Sequence, residues 1–213
     1  MLNHLIIKPK NTYKNAVVFL HGYGANGSDL IEIGKLWSSD LTDTLFLAPD
    51  APFTCPWGNN SFQWFELTSI APEKIGEGLK KAGPHMNQYI NRISSEFNLS
   101  DNKILFVGFS QGTMMALYHL FRRKKSCAGL IGYSGLLFED EKMENELLSR
   151  FPIKLYHGKK DEVINYEFTV KAYKKLKKLD FDVSYHLSQE LSHGIDDEGL
   201  KLGLKFIKKI FYI

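Results

Sequence analysis

The chain is short of cysteine, of long apolar runs and of excess charge, and each shortage removes a class of protein. Only two cysteines, Cys55 and Cys127, occur in 213 residues. They lack metal-ligand spacing and are expected as free thiols in a reducing compartment. No segment is long enough to span a bilayer, and Leu5-Ile6-Ile7 is too short for a secretory core. A net charge of +3 is too small to imply a nucleic-acid partner. No internal repeat or low-complexity stretch interrupts the chain. The expectation is a cytoplasmic protein, in which the Asn-x-Ser triplets at Asn26, Asn59 and Asn98 carry no sugar.

What remains is an ordinary globular composition, 44% hydrophobic and 24% charged, enough for one domain over residues 1–213. Short apolar runs alternate with helical patterns. Strands are expected at 5–8, 16–20, 44–48, 104–107, 128–133, 153–157 and 183–187. Helices are expected at 29–38, 73–97, 111–124, 140–150, 166–179 and 194–210. Such alternation predicts an α/β fold, a mostly parallel sheet of about seven strands with helices on both faces. Gly83-Pro84 should kink or split the second helix. The connection from Ser134 to Pro152 is too short for a separate lid domain.

Functional residues in such sheets gather at the carboxyl ends of the strands. Gly108-Phe109-Ser110-Gln111-Gly112 sits at one of these, between the run Ile104–Val107 and a helical pattern closed by Arg122–Lys125. A G-x-S-x-G there holds a serine in a strained turn with its oxygen exposed. A serine needs a base, and the base needs an orienting acid. On this type of scaffold the chain order is serine, acid, histidine. His119 lies within the following helix, and His157 and His186 fall in strands, where a structural role suffices. His193 follows the last strand and is the expected base. Asp161 follows the strand at 153–157 and is the expected acid. Asp140, Asp180 and Asp182 read as cap or turn residues. Two backbone N–H groups should hold the oxyanion, those of Gln111 and of Tyr23 in the glycine-rich His21–Gly27 loop. His21 itself is expected to be structural.

With these residues assembled, the chain resembles the phospholipase/carboxylesterase family of α/β-hydrolases, which includes acyl-protein thioesterases. The landmarks are His21–Leu30, Ala48-Pro49-Asp50-Ala51-Pro52, Trp64-Phe65, the Ser110 elbow with its glutamine, His157-Gly158 with Asp161, and His193-Gly194. The resemblance implies a triad of Ser110, Asp161 and His193, oxyanion donors at Tyr23 and Gln111, and hydrolysis of esters or thioesters through an acyl-enzyme. The chemistry calls for no metal or organic cofactor. Thr113, where many relatives have a small residue, and Ala25, where some have an acid, depart from the pattern and bear on substrate preference.

Five of the thirteen residues from Phe53 to Phe65 are aromatic. This segment should be a loop folding over the site, with Trp64 and Phe65 as an apolar wall for an acyl group; the alternative is that both plug the core. The lysines at 171–178 and 201–209 read as solvated helix faces, at most giving weak contact with an anionic membrane surface. Expected substrates are small acyl esters or acylated proteins or lipids. The rival functions are a peptidase on the same scaffold and a catalytically silent binding protein. Should a serine other than Ser110 prove to be the nucleophile, Ser134, in Gly132-Tyr133-Ser134-Gly135, is the one to watch.

Overall fold

The computed structural model describes residues 2–67 and 71–212. Seven strands form the main sheet: β1 (His4–Ile7), β2 (Asn15–Leu20), β3 (Thr44–Pro49), β6 (Ile104–Phe109), β7 (Gly129–Tyr133), β8 (Ile153–Gly158) and β9 (Val183–Ser188). Their order across the sheet is β1-β3-β2-β6-β7-β8-β9. Only β1 runs antiparallel, against β3. The central strands read as unbroken apolar runs because both their faces are covered. Along β2, Ala16, Val18 and Leu20 enter one core and Val17 and Phe19 the other. The period of two along a strand thus feeds two separate layers.

Five helices cover those layers: α1 (Gly27–Trp37), α2 (Pro72–Glu96), α3 (Gln111–His119), α4 (Glu167–Lys178) and α5 (Asp197–Phe211). Helices α2, α3 and α4 contribute to the first core, α1 and α5 to the second. Among the described residues no helix is long and apolar enough to cross a membrane. The lysine-rich helices are amphipathic, with Thr169, Ala172 and Leu176 inward on α4 and Gly199, Gly203 and Ile207 inward on α5.

Four expectations are corrected. Helix α2 runs continuously through Gly83-Pro84. Proline removes one backbone donor there, but the adjacent turn is supported from outside, since His119 Nε2 donates to the Leu79 carbonyl at 2.9 Å. The same imidazole packs where a Cβ on residue 83 would be, which accounts for Gly83. Helix α3 ends at His119, not at Lys124, and all nine of its residues are buried rather than amphipathic. The chain departs because the Phe121 carbonyl accepts from Leu148 and Ser149 N–H. Arg122 and Arg123 serve as tertiary ties instead: Arg122 to Glu146, with its guanidinium 3.7 Å from the Tyr118 ring centroid, and Arg123 to Asp101.

Residues 140–150 form no helix: 141–146 are turns and the rest is irregular. Met143 and Ser149 are the fully buried residues of that stretch, so no helical apolar stripe exists to pack. Finally, the aromatic segment is not an irregular loop. It pairs as a small antiparallel hairpin of β4 (Phe53–Thr54) and β5 (Phe62–Gln63).

Candidate active site

Every expected chemical group arrives from the carboxyl edge of the sheet. Ser110 follows β6, the strand between β2 and β7. Its backbone lies at φ 52°, ψ −114°, a left-handed conformation rare for a residue with a side chain. The strain persists because the neighbours leave no alternative. Ser110 N–H donates to the Tyr133 carbonyl at 2.9 Å. A Cβ on Gly112 would collide with the Leu20 carbonyl, and one on Gly108 would come within 2.6 Å of the Thr113 nitrogen. These two glycines are the clearance that lets strand and helix meet. Thr113 is accommodated in turn by Gly132 and Gly135, against which its methyl packs, and its hydroxyl donates to the Tyr133 carbonyl at 2.9 Å.

Asp161 is brought from the end of β8 and His193 from the loop after β9. His193 Nδ1 lies 2.7 Å from Asp161 Oδ2. The other oxygen, Oδ1, accepts from the N–H groups of Val163 and Ile164 at 2.9 and 2.8 Å. Burial pushes the Asp161 carboxyl up, but the Ile164 N–H and His193 bonds outweigh it, and the net shift is downward. The His193 ring rests on Phe109, with centroids 5.0 Å apart, beside Ser110. The His193 loop is closed at its base: Ser188 Oγ and Tyr156 Oη donate to Asp196 at 2.8 and 2.6 Å. Asp196 also caps α5 through Gly199 N–H at 2.8 Å.

The His21–Gly27 loop is fixed just as closely. His21 is fully buried, and its Nε2 accepts from Ala51 N–H at 2.9 Å, as a structural residue would. Gly27 N–H donates to Asp50 Oδ1 at 2.9 Å, and Asn26 and Asp29 form a reciprocal cap at the start of α1. The sequence landmark 48–52 thus serves as the support of the loop bearing Tyr23. Gln111 opens α3, and a first-turn N–H of a helix has no acceptor within that helix.

Trp64 and Phe65 are not the wall that was expected. They are 0% and 1% exposed and belong to the core. Their polar groups instead bind the site together. Gln111 Oε1 accepts from Trp64 N–H and Gln111 Nε2 donates to the Phe65 carbonyl, both at 2.8 Å. The Trp64 indole N–H donates to the His21 carbonyl at 2.9 Å. One residue pair therefore joins the elbow to the His21–Gly27 loop. The aromatic that does overhang this loop is Trp57, 74% exposed, its ring 4.9 Å from that of Tyr23. A tryptophan in a Pro-Trp-Gly turn was the available signal for it.

His157 is structural, as its place in a strand implied, yet it reaches the site. Its Nε2 lies 2.8 Å from the Ile164 carbonyl and 3.0 Å from Asp161 Oδ2. Its Nδ1 faces the Thr169 hydroxyl at 2.7 Å. Ser134 is fully buried at φ 46°, with its hydroxyl on the Gly194 carbonyl at 3.3 Å, so it offers no second nucleophile. Cys55 and Cys127 are free thiols, both buried.

Comparison with known proteins places the chain in a family. The profile of the phospholipase/carboxylesterase family matches residues 2–211. The chain is 28% identical to a Candida albicans protein named acyl-protein thioesterase 1, over 92% of each chain. Among solved structures it superposes on esterase PE8 with a TM-score of 0.95 and 33% identity, covering 99% of both chains. It also superposes on Zea mays acyl-protein thioesterase 2 with a TM-score of 0.78 and 24% identity, covering 97% of this chain and 98% of that one.

Proposed function

The chain belongs to the phospholipase/carboxylesterase family of α/β-hydrolases, and from that premise we propose that Ser110, His193 and Asp161 are its triad, hydrolysing carboxylic esters and thioesters. The observation that carries this reading is the 2.7 Å bond from His193 Nδ1 to a carboxylate otherwise held by two backbone N–H groups. That bond holds the hydrogen of the neutral ring on Nδ1, so that Nε2 is the nitrogen presented as base, and it stabilises the imidazolium once the proton is taken.

His193 takes the proton of Ser110 as its oxygen bonds to the substrate carbonyl carbon. The carbonyl electron pair moves to oxygen, where the N–H groups of Tyr23 and Gln111 receive it. Each such donor contributes on the order of 3 kcal/mol to lowering the barrier. When the tetrahedral species collapses, the bond to the leaving oxygen or sulfur breaks and His193 returns its proton to that atom. Water then repeats the sequence on the acyl-enzyme, and the acid is released.

Relatives named acyl-protein thioesterases point to acylated proteins or lipids as substrates. The acyl group has a place on the β7 side of Ser110. Gly135 abuts the Ser110 carbonyl, and from Leu136 onward the chain borders an apolar cleft of about 190 Å³ with Ile75, Phe138, Phe168 and Ala172. The two buried free thiols suit a reducing cytoplasm.

The test is Ser110→Ala together with fluorophosphonate labelling. Ester turnover and label should both vanish. A variant that still labels at another serine would remove the assignment, and burst-free kinetics with an activated ester would remove the acyl-enzyme.

A further inference from the structure

A second apolar cleft lies on the opposite side of Ser110, and nothing in the acyl-group reading uses it. Its volume is about 230 Å³; Gly22, Ala25, Leu30, Phe109 and Ile195 line it together with His21, whose ring nitrogens are already engaged, and Asp29. The geometry points to this cleft as the site that receives the leaving group, a small apolar alcohol or thiol. This inference rests on the triad proposed above.

Three observations place it there. The first is its contact with the nucleophile: a Cβ on Gly22 would stand 3.4 Å from Ser110 Cβ and 3.1 Å from the Phe109 ring. The second is its relation to the proton donor. His193 packs on Phe109, and Ile195, two residues beyond His193, forms the far wall. The group that departs must lie on the side of the residue that protonates it, so it departs towards this wall. The third is the division of the site by the sheet. Ser110 follows β6, and the acyl cleft is lined from α2 and α4, which cover one face, while this cleft is lined from α1 with Phe109 and Ile195, which pack on the other.

The chemistry of the cleft sets the class of group. Ala25, Leu30, Phe109 and Ile195 offer only carbon. Asp29 Oδ2 already accepts from Asn26 N–H at 3.0 Å, and its negative charge in the lining disfavours anionic leaving groups. An apolar cavity of about 150 Å³ suffices for benzene; this one suits a benzyl or branched five-carbon alcohol or thiol. Gly22 and Ala25, which carry no side chain beyond Cβ, keep it open.

The experiment has two arms. In the first, kcat/KM is measured for benzyl and methyl butyrate, and for methyl hexanoate and methyl acetate, with wild-type protein and Ala25→Phe. The benzyl-to-methyl ratio should fall at least tenfold in the variant, while the hexanoate-to-acetate ratio does not follow it. An unchanged benzyl-to-methyl ratio, or two ratios falling together, overturns the inference. In the second arm, benzyl alcohol is titrated into methyl-labelled wild-type protein. The methyls of Ala25, Leu30 and Ile195 should shift saturably, and those of Ile75 and Leu136 should not. No shift at the first three overturns the inference whether or not the protein turns over esters. Absence of all turnover with that shift intact would instead count against the triad reading alone.

Discussion

His157 and His193 meet on one oxygen: both approach Asp161 Oδ2, at 3.0 and 2.7 Å. The two imidazoles have different duties. The Ile164 carbonyl can only accept, so His157 Nε2 carries a hydrogen, and Nδ1 accepts from Thr169. Burial is the main cause that lowers the His157 pKa, which keeps the ring neutral. It is a neutral donor placed behind the carboxylate that orients His193.

That arrangement makes His157 a positioning residue. A hydrogen bond to a charged group contributes about 1.5–3 kcal/mol. His157→Phe should therefore lower kcat by roughly ten- to a hundredfold with KM nearly constant. Thr169→Val, which removes only a neutral bond, should cost about fivefold. Steady-state kinetics with p-nitrophenyl butyrate would separate this from a merely structural role, which would lower the melting temperature and leave kcat per folded molecule intact.

The bracket formed by Gln111, Trp64 and His21 predicts an effect of Trp64 unlike that of a substrate wall. Trp64→Phe keeps the bulk and loses the indole bond to the His21 carbonyl. It should lower kcat by about fivefold, equally for acetyl, butyryl and hexanoyl p-nitrophenyl esters. A loss that grows with acyl length would show that Trp64 contacts the chain after all.

Gly112→Ala should not yield a stable fold. The added methyl would overlap the Leu20 carbonyl oxygen, which is backbone of a central strand and cannot swing aside. Thermal unfolding followed by circular dichroism should show a loss of well over 3 kcal/mol, beyond the usual range for a point change. Gly58→Ala is the contrast, since no atom lies within 4 Å of a Cβ there, although its φ of 155° sets some backbone cost.

Acid should unfold the protein partly through His119. Burial holds its pKa down at about 4, from 6.5. Between those values the unfolded chain binds a proton that the folded one does not, so stability rises with pH across that window. At pH 5 the cost is about 2 kcal/mol, and below pH 4 it grows no further. His119→Gln keeps a donor for the Leu79 carbonyl and cannot titrate. Urea unfolding at pH 7.5 and 5 should show wild type losing about 2 kcal/mol more than the variant.

The sheet and the chain order of the chemical groups were legible because each depends on short-range pattern. The central strands read as apolar runs, and Ser110, Asp161 and His193 fall one, three and five residues after β6, β8 and β9. Trp64 and Phe65 were legible as important but not as to why, because burial depends on what α2 lays over them. The hairpin at Phe53–Gln63 has two-residue strands, too short to show a period. Pro84 could not be reconciled with a helix without knowing that His119, 35 residues on, would brace the turn beside it. His157 gave no local sign of reaching Asp161, since only the bend from Gly158 to Ile164 brings the two together.

Asp196 gathers Ser188, Tyr156 and Gly199, so the segment bearing His193 is tied shut where it leaves β9 and where it enters α5. Ordering the imidazole is thus a cost met once, when the chain folds, and not again at each encounter with substrate. The His21–Gly27 loop is covered more loosely, by Trp57, which stands over Tyr23 with most of its surface in water.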